Sequence, residues 1–412
     1  IRDRLETLLS NLWRIEAAPW QALVASYVND GNVHLRRAAA FSLSRSGDRA
    51  ARAAQRRLAA DSEPVIRATA LRGLEKGKLD ERDLAALYSA LDDADWRVRA
   101  AACRVLAAQD PVVLSREAAQ KVFDAFSSPH PHLAVSAIAA AASQNRVGAA
   151  TDLLGFVHDD EQWLASEALV ALALRDAPAA APVAKTWFES QDPWRRRAAA
   201  RSATELGPEF EKRAAADTDP SVRLAWLSAL DDGATRERQK VLKGLVESDP
   251  DPAVRANIVS LLRSAEVAPS LDELVGFYAA WSRDLMPDAR AEALIAAVAA
   301  SDSSEDRAAI VALGLTDLDP AVAAMVINGA RSLGLDVTLP SREPRHGSRW
   351  YEELAEWVKI PRWLDISTNR GSFRIRLDLV AAPLTSREIS DLATDGFYDG
   401  LGFHRVVPNF VV

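Results

Sequence analysis

One cysteine in 412 residues, Cys103, excludes any disulfide within the chain and any zinc site built on cysteines. Histidine is almost as sparse, and of the six only His130-Pro131-His132 form a pair. That pair has no third ligand within sequence reach, so a loop is expected rather than a metal site. No apolar run approaches the roughly 18 residues of a membrane span, so no spanning helix is expected. Surplus positive charge is missing too: the formal net charge is −8, which argues against nucleic acid as the main partner while leaving room for a local basic groove. A nucleophile elbow, a kinase signature and a dinucleotide fingerprint are all absent from the sequence, and Gly73-Leu74-Glu75-Lys76-Gly77-Lys78 lacks both the spacing and the preceding strand of a phosphate loop. Neither metal nor cofactor is expected. Ile1 is not an initiator and the first residues already read as helix, so more chain is expected upstream, where a leader or lipid anchor would lie.

What is present is ordinary for a soluble protein, 49% hydrophobic and 26% charged, with abundant alanine favouring helix. The length points to two or more folding units. One pattern recurs: a turn with Asp or Pro, an apolar residue, an Arg, then small and apolar residues. It reads Asp61-Ser62-Glu63-Pro64-Val65-Ile66-Arg67, Asp95-Trp96-Arg97-Val98-Arg99, Asp219-Pro220-Ser221-Val222-Arg223 and Asp251-Pro252-Ala253-Val254-Arg255. Weaker copies align at Arg36, Ala134, Ala165, Arg197, Arg290 and Ala323, giving successive spacings of 31, 32, 35, 31, 32, 26, 32, 35 and 33. A period in this range defines a solenoid. Asp219, Asp251 and Asp319 are placed to cap helices, and Pro220, Pro252 and Pro320 sit where a missing N–H matters least. Val222, Leu224, Ala225, Leu227 and Leu230 form one apolar stripe, and Gly47, Gly207 and Gly233 fall near stripe ends. Each period therefore holds two helices of about a dozen residues, which bury their apolar faces only by stacking on neighbours.

This Asp-Pro-x-Val-Arg pattern resembles HEAT repeats in their short bacterial form, over about residues 1–335. The resemblance implies a mainly α fold, an α-solenoid of about ten helical hairpins, whose concave face binds a protein partner. It implies no activity. The recurrent Arg, near an Asp in the preceding turn, is expected to form a ladder of ion pairs between repeats rather than a basic groove. Trp194-Arg195-Arg196-Arg197 reads as a solvated helix face, because Glu205, Glu209 and Glu211 follow it. Trp96, Trp163, Trp194, Trp226 and Trp281 are expected to be packing wedges between repeats.

Near Asp336 the texture changes. A Pro- and Gly-punctuated stretch, Pro340 to Ser348, reads as a linker, followed by an amphipathic helix from about Arg349 to Lys359 with Trp350, Leu354 and Trp357 on one face. Domain boundaries are thus set at 1–335, 336–361 and 362–412. Leu364 and Ile366 alternate with polar residues, Asn369-Arg370-Gly371 makes a turn, and Phe373, Ile375, Leu377 and Leu379 repeat at period two, a hairpin pattern. A helix starts at Pro383, with Ile389 and Leu392 inward and Gly396 at its end.

Thr368 to Ile375, Ala382-Pro383 with Thr385, Gly396-Phe397-Tyr398-Asp399-Gly400 and Phe403-His404-Arg405-Val406-Val407-Pro408 together resemble the opening part of a cyclophilin-type peptidyl-prolyl isomerase domain. The resemblance covers about residues 364–412 and implies the N-terminal part of a β-barrel, cut short at its C-terminal side. It assigns Arg405 as the catalytic arginine, Phe410 as a proline-pocket residue, and Val411 as a pocket residue where Met is more usual. His404 is expected to be structural, since the reaction moves no proton at a reacting bond. Glu388 and Ile389 stand where the family usually has Asn and Phe, and Gly402 replaces a bulkier residue. The remaining pocket residues of the family fall beyond Val412, so the fragment alone is expected to be inactive and the intact parent an isomerase of proline-containing peptide or protein clients. The alternative is a non-catalytic HEAT scaffold carrying a degenerate isomerase remnant. The compartment is open, with a bacterial cell envelope as the expectation.

Overall fold

The computed structural model describes residues 2–14, 20–46, 51–109, 114–144, 147–230, 235–263, 265, 267–282, 284, 286–338 and 346–402. The chain divides into two compact units, Ile1–Val337 and Thr338–Val412.

In the first unit a helix, Arg2–Asn11, precedes a series of helical hairpins. The second helices of these hairpins are Val33–Ser46, Pro64–Arg72, Trp96–Ala107, Pro131–Ser143, Gln162–Arg175, Pro193–Arg201, Pro220–Leu227, Pro252–Leu262, Asp288–Ala300 and Pro320–Ser332. Each packs directly on the next, whereas the first helices pack chiefly on their own partners. Alanine makes this row possible. Ala39, Ala40, Ala102, Ala137, Ala140, Ala168, Ala199 and Ala297 are all fully buried, and small side chains let helix axes approach closely. Three apolar clusters follow one another along the chain, running from Leu9 to Ala70, from Ala68 to Ala199 and from Ala200 to Ala330. The fold is an α-solenoid, in which neighbours supply each repeat's core.

The capping chemistry read from sequence operates as expected. Asp219 accepts from the Ser221 amide, Asp251 from Ala253 and Val254, and Asp319 from Ala321, with proline at the first helical position of each. Gly207, at φ 106°, terminates the short helix Ala203–Leu206; Gly47 and Gly233 lie outside the described residues. The short spacing of 26 has two causes. The intervening first helix, Pro208–Ala215, has only 8 residues, and the residue in register is Arg196 rather than Arg197, as the hydrogen bonds show below.

In the second unit the helix Ser348–Trp357 is followed by an antiparallel hairpin, Trp363–Thr368 with Gly371–Arg376, and then by the helix Pro383–Thr394. Leu354 is buried, with Trp350 and Trp357 half-buried on the same face. The hairpin turn is tighter than the sequence reading had it. Thr368 pairs with Gly371, so Asn369 and Arg370 alone make the turn, and Gly371 opens the second strand at φ 132°, a backbone conformation that favours glycine. No described helix is long and apolar enough to cross a membrane.

Candidate functional site

In the second unit, strand alternation sorts chemistry between the two faces of the hairpin. Leu364 pairs with Ile375 and Ile366 with Phe373 on one face, while Trp363 pairs with Arg376 and Asp365 with Arg374 on the other. Arg374 Nη2 donates to Asp365 Oδ2 at 3.0 Å, and this hydrogen bond holds the Asp365 carboxyl below its usual range. On the apolar face Leu364 and Ile366 are half-buried, but Phe373 and Ile375 are exposed. The following helix is anchored at Ser386, which is buried and donates from Oγ to the Asp378 carbonyl at 3.3 Å. Ile389 and Leu392 are half-buried. The guanidiniums of Arg362 and Arg387 lie 5.1 and 5.4 Å from the Trp357 ring, joining this helix to the preceding one. Gly396 and Gly400, at φ 74° and 80°, take backbone conformations that favour glycine and precede the segment that starts at residue 403. Arg405, Phe410, Val411 and His404 lie in that segment, outside the described residues.

In the first unit the recurrent arginines build a ladder. From the first turn of its helix each donates Nη1 to the carbonyl six residues earlier, and points one or both of its other nitrogens at an aspartate in the turn of the next repeat. Arg67 donates to Asp61 O at 2.8 Å and to both Asp93 oxygens at 2.7 and 2.8 Å. Arg223 donates to Asp217 O at 2.7 Å and to Asp249 at 2.7 and 2.8 Å. Arg36 reaches Asp61 and Arg196 reaches Asp217 in the same way, while Arg255 and Arg290 reach Asp284 and Asp317 through Nη2 alone, their buried Nε having no partner among the described residues. The ion-pair ladder anticipated from sequence is present, but its acid belongs to the following turn, and the preceding turn contributes its carbonyl. Asp61, Asp93, Asp217, Asp249 and Asp317 each also take an amide two residues on, as Asp249 takes Asp251 N at 2.9 Å. Burial pushes the Asp61 and Asp93 carboxyls up; hydrogen bonds from Arg36 and Arg67, and from those amides, outweigh it and leave both depressed. The overlooked sequence mark was an Asp six residues before five of the six ladder arginines, Ser190 standing there before Arg196.

The ladder is interrupted where the sequence has Ala134 and Ala165. Arg99 still donates to Asp93 O at 3.2 Å, but the next turn offers Ser128 in the aspartate's place, and the buried Arg99 Nε has no partner among the described residues. Aromatic stacking occupies this interval. Trp96 stacks on His130 at 5.1 Å and on His132 at 5.9 Å, and His132 meets Trp163 edge-on at 4.8 Å. Burial lowers the pKa of His132. The tryptophans divide accordingly: Trp226 and Trp281 are wedges at 2% and 6% exposure, but Trp163 and Trp194 are 37% and 46% exposed. The wedge reading fails for those two, which stand in the first turns of Gln162–Arg175 and Pro193–Arg201 with more than a third of their surface open. Arg197 departs from its expected place as well, lying 4.8 Å over Trp194. Cys103 is buried and its thiol is pushed up to about 12, so it is not a nucleophile. No group of three or more His, Cys, Asp or Glu among the described residues is placed to hold a metal ion.

These features define a helical-repeat array followed by the strand–turn–strand–helix opening of a different fold. Residues 20–107 match the HEAT repeats family, and residues 363–412 match the cyclophilin type peptidyl-prolyl cis-trans isomerase family. The chain therefore carries one segment similar to HEAT repeats and, further along, one similar to cyclophilin-type isomerases. The peptidyl-prolyl isomerase CWC27 of Mycosarcoma maydis is 45% identical over 49 residues, 12% of this chain and 10% of that protein. The peptidyl-prolyl cis-trans isomerase ppi1 of Schizosaccharomyces pombe is 41% identical over 49 residues, 12% of this chain and 32% of that protein. The peptidyl-prolyl cis-trans isomerase of Helicobacter pylori is 38% identical over 61 residues, 15% of this chain and 37% of that protein. The chain thus spans only 10% to 37% of the length of these relatives. The first two are fungal, so they lend no support to a bacterial origin. Among solved structures, a match to the karyopherin Kap121p bound to the extreme C-terminus of the protein phosphatase Cdc14p covers 91% of this chain and 53% of that one, at 12% identity and a TM-score of 0.36. That score carries no functional argument.

Proposed function

We propose that the chain is part of a peptidyl-prolyl cis-trans isomerase whose HEAT array binds protein partners and whose cyclophilin-type segment acts on proline-containing clients. The observation that carries this reading is the match over residues 363–412, at up to 45% identity to the relatives above, with Arg405 in place. Rotation about an Xaa-Pro bond meets a barrier of about 18–20 kcal/mol set by amide resonance. Lowering it requires neither a nucleophile nor a metal. It requires a donor that favours the pyramidal prolyl nitrogen of the twisted amide, an apolar seat for the ring, and anchors for the flanking peptide. Arg405 is assigned the first role, since its guanidinium is permanently charged and presents several donors. Phe410 and Val411 are assigned the second, Val411 giving a shorter wall than the usual methionine. The open apolar face of Phe373 and Ile375 is of the kind that a barrel sheet covers.

The test is an NMR exchange measurement of Xaa-Pro isomerisation in a proline peptide, catalysed by the gene product that contains this chain. Arg405→Ala is expected to lower the exchange rate at least a hundredfold while leaving circular dichroism unchanged. A wild-type protein that folds yet gives no exchange above background would leave the non-catalytic scaffold as the correct reading.

A further inference from the structure

A cavity of about 210 Å3 lies where the ladder is broken, lined by Asp159, Asp160, Ala165, Trp187, Trp194 and Arg195. Ala165 stands at the ladder position, four residues after the helix cap Glu161. In six other repeats that position sends a guanidinium from Arg36, Arg67, Arg196, Arg223, Arg255 or Arg290 across to the next turn. The turn of this repeat keeps a ladder aspartate, whereas the next turn has Ser190 in that place. Asp159 lies six residues before position 165 and accepts the Glu161 amide at 2.8 Å, just as Asp61 and Asp249 accept theirs. No cation pairs with it among the described residues, because the arginine that would reach it from the preceding repeat is Ala134. Two consecutive alanines therefore leave the Asp159 carboxylate without a guanidinium from position 134 and the Asp159 carbonyl without one from position 165. The cavity is the second of these gaps, between this turn and Trp187, Trp194 and Arg195.

We propose that this cavity binds an arginine side chain of a polypeptide partner, which completes the ladder in trans. The walls suit that ligand. Asp159 and Asp160 outnumber the single Arg195 and make the cavity acidic. Trp194, 46% exposed, offers indole surface and already holds the Arg197 guanidinium at 4.8 Å. A planar fork that bonds a carboxylate and stacks on an indole is the chemistry of arginine rather than lysine. The proposal extends the scaffold reading of the array by naming what it holds, and rests on that reading only for the claim that the arginine belongs to a protein.

The test uses the full chain labelled with 5-fluorotryptophan, its Trp194 resonance assigned by Trp194→Phe. Titration with N-acetyl-arginine amide is expected to shift that resonance saturably. N-acetyl-citrulline amide, a neutral near-isostere, and N-acetyl-lysine amide are expected to bind at least tenfold more weakly. Ala165→Arg fills the cavity in cis and is expected to abolish the response while preserving helical circular dichroism. Should that variant lose its helicity, Asp159→Asn, which keeps the amide acceptor, is expected to weaken binding at least threefold. Equal binding of the citrulline or lysine derivative overturns the proposal, as does an unchanged titration in the folded Ala165→Arg or Asp159→Asn variant. None of these readouts involves Arg405, so a negative result here leaves the isomerase assay standing.

Discussion

At the scale of single residues, the ladder turns a surface motif into buried electrostatics. The Arg223 and Asp249 side chains are only 7% and 3% exposed, and two short hydrogen bonds join them. Taking such charges from water is costly, and what offsets it is that each of the three guanidinium nitrogens of Arg223 donates to a carboxylate or carbonyl oxygen. Removing one partner leaves the other buried and uncompensated. Arg223→Ala is therefore expected to destabilise the array by about 3–5 kcal/mol, read from urea unfolding. Arg223→Lys keeps the charge but loses the fork, and is expected to recover less than half of that loss. A loss of under 1 kcal/mol in the alanine variant would reduce the ladder to a surface decoration.

At the scale of the element, close approach matters more than helix propensity. Gly314 and Gly329 lie inside helices, where glycine weakens the backbone by about 0.5–1 kcal/mol relative to alanine. A methyl group at Gly329 would come within 2.6 Å of Ile295 Cγ1, and one at Gly314 within 2.9 Å of Val326 Cγ2. Gly244 and Gly276 meet nothing within 4 Å. Gly329→Ala is thus expected to lower the melting temperature, and Gly244→Ala to raise it, in thermal unfolding followed by circular dichroism. A rise in both would mean that the packed helices separate freely. This difference between glycines was not legible in the sequence, which records helix position but not what a neighbouring repeat places opposite. Caps were legible, because Asp219 and Pro220 act within four residues of one another. The register of Arg196 was not: counting from the Arg-Arg-Arg run gave Arg197, and only the carbonyl of Ser190, six residues back, fixes which arginine turns inward. In the second unit the hairpin was visible from its alternation, while the role of Gly371 as a strand residue depended on pairing with Thr368. The family's catalytic positions were legible only as a resemblance, since Arg405 carries no local geometric mark in its own neighbourhood of sequence.

At the scale of the whole molecule, uneven placement of the ladder gives the array regions of different acid sensitivity. Stability in a solenoid is a sum over repeats and their interfaces, so a local loss stays local. Asp61 and Asp93 have carboxyls held below their ordinary range. A carboxyl depressed in the folded state contributes stability that is complete above its unfolded value, about pH 4, and lost as pH falls through the lower folded value. Between Arg99 and Arg196 no ladder pair exists, and apolar packing of Leu133, Ala137, Ile138, Leu169 and Leu172 carries the interfaces instead. That packing has no carboxyl to lose. Lowering the pH from 6 to about 3 is therefore expected to cost the helices Val33–Ser46, Pro64–Arg72 and Trp96–Ala107 their amide hydrogen-exchange protection first. The helices Pro131–Ser143 and Gln162–Arg175 should hold theirs longer. Mass spectrometry on proteolytic fragments resolves the two groups. Protection lost uniformly, or first from the middle helices, would mean that the array unfolds as one cooperative block and that the ladder sets repeat geometry without setting its acid stability.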